Sequence, residues 1–109
     1  MKLNEYQKQA MSTAIFSSSD GYTYTALGLA GEAGEIANKV KKFVRDGYTP
    51  EELPVKISDL RAELGDVLWY VAAMAEVLET DLQTIAEANL KKLQSRKERG
   101  KLSGDGDNR

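Results

Sequence analysis

Apolar positions recur at helical intervals through most of the chain. Leu3 to Phe16 spaces its apolar residues along one helix face, with Asn4 as a cap, and the run Ser17-Ser18-Ser19-Asp20-Gly21 breaks the pattern. A second helix is predicted from Tyr22–Thr25 to about Arg45. Asp46-Gly47 and Pro50 end it, and Pro54 is expected to keep the residues after it irregular. A third helix is predicted over about Ile57–Leu78 with Ser58 as its cap, then a tight junction at Thr80-Asp81, then a fourth over about Leu82–Arg99. No stretch alternates in the manner of a strand. The expected fold class is therefore all-α, a bundle of four to five helices. One domain is expected over residues 1–99. Residues 100–109, polar with glycines at 100, 104 and 106, form a tail that is either disordered or ordered by a ligand.

The stripes within these helices say which faces are covered. Leu29, Ala33, Ile36, Val40 and Phe43 line the second helix, and Leu60, Leu64, Val71, Ala75 and Leu78 the third. From Val67 to Leu78 the third helix is apolar on nearly every side, with Trp69 opposite its main stripe. A helix that is apolar all round needs cover all round. In a chain of this size that favours a homo-oligomer, dimer or dimer of dimers, over the alternative in which Trp69 packs under the first helix.

Beside these stripes run two acidic pairs, Glu32-Ala-Gly-Glu35 and Glu63-Leu-Gly-Asp66. Carboxylates at i and i+3 project from one face and repel unless a cation lies between them. Glycines at 28, 31, 34 and 65 sit inside the same helices, where each costs about 1 kcal/mol relative to alanine. They make sense if a backbone or a ligand approaches closely. If the second and third helices pack antiparallel, both acidic pairs converge on one site.

Composition narrows the chemistry of such a site. The chain has no cysteine and no histidine, which excludes disulfides, thiolate nucleophiles, His/Cys zinc sites and imidazole bases. Four carboxylates without histidine favour a hard cation, Mg²⁺ with Mn²⁺ as a substitute. A net charge of −2 argues against a nucleic-acid polymer as partner. Neither a signal peptide nor a membrane-spanning run is evident, so the expected location is cytoplasmic.

The segment Leu29-Ala-Gly-Glu-Ala-Gly-Glu-Ile36, followed after a loop by Glu63-Leu-Gly-Asp-Val-Leu-Trp-Tyr70, resembles the E-x-x-E…E-x-x-D signature of MazG-like all-α nucleoside triphosphate pyrophosphohydrolases. The resemblance covers the chain from about Tyr22 to its C-terminus. It implies that Glu32, Glu35, Glu63 and Asp66 hold Mg²⁺ against the substrate phosphates. It also implies that water attacks the α-phosphorus of a (d)NTP, releasing (d)NMP and pyrophosphate, at sites shared between subunits. Glu32 or Glu35 is the expected base, and the sequence does not choose between them.

Further residues extend this reading. Lys39 and Lys42 continue the acidic stripe and are expected to meet phosphate. Asn89 falls within the core stripe of the fourth helix (Leu82, Ile85, Ala86, Leu93), where an amide needs a partner. With Lys92 and Arg96 at i+3 and i+7, it offers a substrate-binding face. Two other readings compete: a non-catalytic oligomerisation or regulatory module, and a hydrolase of a non-canonical or phosphoribosyl nucleotide pyrophosphate.

Overall fold

The computed structural model describes residues 1–109 and contains four α-helices and no strand. They are α1 (Leu3–Met11), α2 (Gly21–Asp46), α3 (Leu53–Val77) and α4 (Leu82–Glu98), with a 3₁₀ turn at Ser18–Asp20 leading into α2. No helix is long and apolar enough to cross a membrane.

The central unit is the antiparallel hairpin of α2 and α3. Gly21 lies against Val77, Gly28 against Tyr70 and Lys39 against Glu63, so residues ascend one helix as their neighbours descend the other. Gly47, at φ 69°, ends α2 in the left-handed region, and its N–H donates to the Phe43 carbonyl. Helix α3 starts earlier than the sequence pattern suggests. Pro54 lies in its first turn, where the missing N–H has no intrahelical partner to lose, so Pro54 opens the helix and Ser58 is not its cap.

Helix α1 stops at Met11, five residues before the predicted end. The Ser12 and Thr13 hydroxyls donate to the Gln9 and Ala10 carbonyls and compete with the next helical turn. Asn4 does not cap α1. Its Oδ1 accepts from Gln83 N–H at 3.0 Å, Gln7 Oε1 accepts from Leu82 N–H at 2.8 Å, and Asp81 Oδ1 accepts from Thr84 N–H at 2.8 Å. Three orphan donors at the start of α4 are thus satisfied, two of them by α1. The bonds from Thr84 hold the Asp81 carboxyl below its ordinary value. Before this junction, Glu79 takes φ 58° and Thr80 N–H donates back to Ala75.

Ala10, Ala72, Ala75 and Leu82 form the buried cluster, with Trp69 and Val71 packed against it. Trp69 does not await a partner. Its Nε1 donates to Thr13 Oγ1 at 2.8 Å and to the Ala10 carbonyl at 3.2 Å, so α1 covers the face that suggested a subunit interface. Part of the stripe expected to be core is open: Leu64 is 61% exposed and Leu78 54%, while Ala75 is buried. Only 9 of 109 residues are buried. The radius of gyration, 17.2 Å, exceeds the roughly 13 Å of a compact chain this long. The tail folds back on α4: Arg96 Nη2 donates to the Asp107 carbonyl, and the Arg109 guanidinium donates to the carbonyls of Lys101, Leu102 and Gly106.

Candidate active site

The hairpin brings Glu32 of α2 together with Glu63 and Asp66 of α3. One carboxylate oxygen from each lies within 4.8 Å of the others. Three of the four acids singled out by their spacing therefore meet. Glu35, three residues further along α2, is exposed and outside this group, near enough for its charge to act on Glu32.

Loss of water and the crowding of charge act together on Glu32. The Glu32 carboxyl is held above its ordinary value of 4.5, first by loss of water around it. The charge of Asp66 comes next, then the charge of Glu63 with a hydrogen bond to it, then the charge of Glu35. A proton or a cation relieves this repulsion. Lys39 does so in part: its Nζ lies 3.3 Å from Glu63 Oε1. The donor set is all oxygen, with neither imidazole nor thiolate in the chain, which suits a hard divalent cation.

Glu32 and Asp66 stand at one side of a cleft of about 400 Å³, whose other walls are Thr13, Ile15, Tyr24, Trp69 and Tyr70. The aromatic rings are mutually braced. Trp69 meets Tyr70 edge-on at 4.9 Å, Tyr70 tilts toward Tyr24 at 6.1 Å, and Phe16 stacks on Tyr24 at 4.9 Å. The Tyr70 phenol titrates above its ordinary value, first through its side-chain hydrogen bond to Tyr24, then through burial and the nearby carboxylates. Tyr24 was not singled out from the sequence, yet a signal existed: Tyr24, Gly28 and Glu32 follow at i, i+4 and i+8 on one face of α2. Thr13 and Ile15 carried no such signal, because they reach the cleft only through the early end of α1.

The expected substrate-binding residues are scattered. Lys39 borders the acids as described, and Lys42 is exposed further along α2. Asn89 is exposed, so the argument from a buried amide does not hold within this chain. With Lys92, Ile85 and Ala88 it lines a separate depression on α4. Arg96 is buried beneath the tail that its own guanidinium holds.

Comparison with known proteins agrees with this geometry. The family model of the MazG nucleotide pyrophosphohydrolase domain matches residues 21–100, which contain all four acids. The chain is also 50% identical, over 117 aligned residues spanning the whole of both chains, to the "Gene 37 protein" of Mycobacterium phage L5, a name that states no activity. No solved structure matches. A match over most of the chain, enclosing the α2–α3 hairpin and its converging carboxylates, shows that the protein belongs to the MazG nucleotide pyrophosphohydrolase family.

Proposed function

We propose that the protein hydrolyses a (d)NTP to (d)NMP and pyrophosphate in a Mg²⁺-dependent reaction, by attack of water at the α-phosphorus. The observation that carries this reading is the convergence of Glu32, Glu63 and Asp66 beside an aromatic cleft, in a chain of this family. Glu32, Glu63 and Asp66, with Glu35 at their edge, would hold the cation. When bound, Mg²⁺ neutralises the triphosphate and polarises its phosphoryl oxygens. The chain's own residues do the rest. Glu32 or Glu35 accepts the proton of the attacking water, since no imidazole is present to do so. Lys39 and Lys42 meet phosphate charge, and the cleft holds the remainder of the nucleotide.

A homo-oligomer, dimer or dimer of dimers, belongs to the same proposal. Arg61, Leu64, Gly65, Leu68 and Val71 line an apolar groove along α3, and Ile85, Leu90 and Leu93 stay exposed on α4. A second copy laid on these faces would complete the core. Asn89 and Lys92 lie outside the cleft of their own chain, and in such an assembly they would serve a neighbouring site, whereas Arg96 holds the tail. The domain is taken as residues 1–99 with the tail as its closure, acting in the cytoplasm.

The test is incubation with Mg²⁺ and a panel of canonical NTPs and dNTPs, with products separated by chromatography and pyrophosphate distinguished from phosphate. Monophosphate plus pyrophosphate, lost on chelation and in Asp66→Asn, is the expected result. Glu35→Gln, if Glu35 is the base, loses roughly a hundredfold or more in rate. Release of single phosphates would place the attack at the γ-phosphorus and overturn the mechanism.

A further inference from the structure

Of the five glycines in α2 and α3, three have open space where a side chain would stand, Gly21 at the helix start would meet Val77 closely, and Gly28 alone would overlap a ring. A Cβ built on Gly28 would overlap Cε1, Cδ1 and Cζ of Tyr70, whereas one on Gly31, Gly34 or Gly65 would touch nothing. Tyr70 therefore lies in a notch cut into α2, one helical turn before Glu32. The overlapping atoms are ring carbons of a side chain, which yields at less cost than backbone even though Tyr24 and Trp69 brace it. A methyl at position 28 would displace the ring, and that ring is a wall of the cleft.

That cleft sets the rings of Tyr24, Trp69 and Tyr70 beside the carboxylates of Glu32 and Asp66. No cationic side chain lines it. Its indole N–H and its threonine hydroxyl are already engaged with each other and with the Ala10 carbonyl. Away from the carboxylates, the walls offer a ligand mainly ring faces and edges, against which a base packs by its shape. Resting on the pyrophosphohydrolase reading, we propose that Gly28 is the specificity-determining residue of this site: by admitting the Tyr70 ring into α2, it sets the width of the cleft that holds the base of the nucleotide beside the carboxylates. Substitution at Gly28 narrows the cleft and penalises the larger base first. One methylene-sized group in an apolar pocket changes discrimination by about 10–200-fold, and at this mixed wall of rings and carboxylates the lower end of that range is expected.

Trp69, the chain's one tryptophan, borders the cleft and reports its occupation directly. The experiment titrates its emission with α,β-methylene analogues of a purine and a pyrimidine triphosphate, in Mg²⁺, for the wild type, Gly28→Ala and the double variant Gly28→Ala/Tyr70→Ala. Inorganic tripolyphosphate, measured by calorimetry, serves as the probe without a base. Gly28→Ala is expected to weaken purine-analogue binding roughly tenfold or more, the pyrimidine analogue less, and tripolyphosphate not at all. Removing the ring in the double variant is expected to restore the purine analogue. Wild-type affinities in Gly28→Ala, or no recovery in the double variant, overturn the notch. Should Gly28→Ala lose its helical circular dichroism, Tyr70→Leu alone widens the cleft and must relax purine-against-pyrimidine discrimination; unchanged discrimination then overturns it. Hydrolysis of natural triphosphates with Gly28→Ala at wild-type affinity removes the notch and leaves the enzyme. Binding of the analogues, with no pyrophosphate released from any natural triphosphate, removes the enzyme and leaves the notch to be judged by binding. A wild type that binds neither analogue overturns both.

Discussion

Lys39 Nζ sits 3.3 Å from Glu63 Oε1, so a fixed cation of the chain occupies one of the three carboxylates that a divalent ion would need. The two cations compete for the same oxygen. Lys39→Met is expected to tighten Mn²⁺ binding, measured by isothermal titration, while raising the KM for the nucleotide through loss of a phosphate partner. Weaker Mn²⁺ binding in this variant would instead show that Lys39 holds Glu63 in place for the ion.

The raised Glu32 carboxyl sets a pH dependence with a definite sign. A carboxyl raised on folding adds stability below its ordinary value, and that contribution disappears as pH rises through the raised one. The metal-free chain should therefore lose stability as pH climbs from 4.5 through the raised value, and Mg²⁺ should recover it. Thermal melts with and without Mg²⁺ are expected to diverge more at pH 8 than at pH 5. Equal metal-induced shifts at both pH values would mean that the ion does not bind at Glu32.

Gln7 ties three elements together. Its side-chain amide donates to Glu76 and to the Thr80 carbonyl, and its oxygen accepts from Leu82 N–H, all near the α3–α4 junction. Gln7→Leu leaves a buried N–H and a carbonyl without partners, at a cost of about 1–3 kcal/mol. Urea denaturation is expected to show a lower midpoint with an unchanged slope. A midpoint within error of the wild type would mean that water replaces the amide at no cost.

The groove on α3 is tested by charge. Leu68→Glu, in the middle of that groove, is expected to reduce the mass measured by light scattering to that of one chain. Asp59→Lys, exposed on the same helix outside the groove, serves as the control and should leave the mass unchanged.

The helical periodicity and the acidic spacing made the hairpin and three converging acids readable in advance, because both depend on local intervals along one helix. What the sequence hid was set by contacts between distant elements. Asn4 reads as the cap of its own helix and instead caps α4, a choice made by the docking of α1. Trp69 reads as an unsatisfied apolar face because nothing in its neighbourhood announces that Ala10 and Thr13 will receive its N–H. Asn89 was placed in a core stripe by periodicity, but α4 leans on the rest of the chain mainly near its start, and the amide stays in water. The buried alanines at 72, 73 and 75 outrank the larger Leu64 and Leu68 for a related reason: small side chains let α1 and α4 approach.

In the proposed assembly, so small an enclosed core would make protein concentration a variable of the protein's behaviour. If the open faces of α3 and α4 are closed by another copy, folding and association share one equilibrium, and the melting temperature rises with the amount of protein present. Specific activity would then fall on dilution below a threshold. Such a catalyst would be nearly silent at low expression and would switch on as its own copy number climbs, with no effector needed.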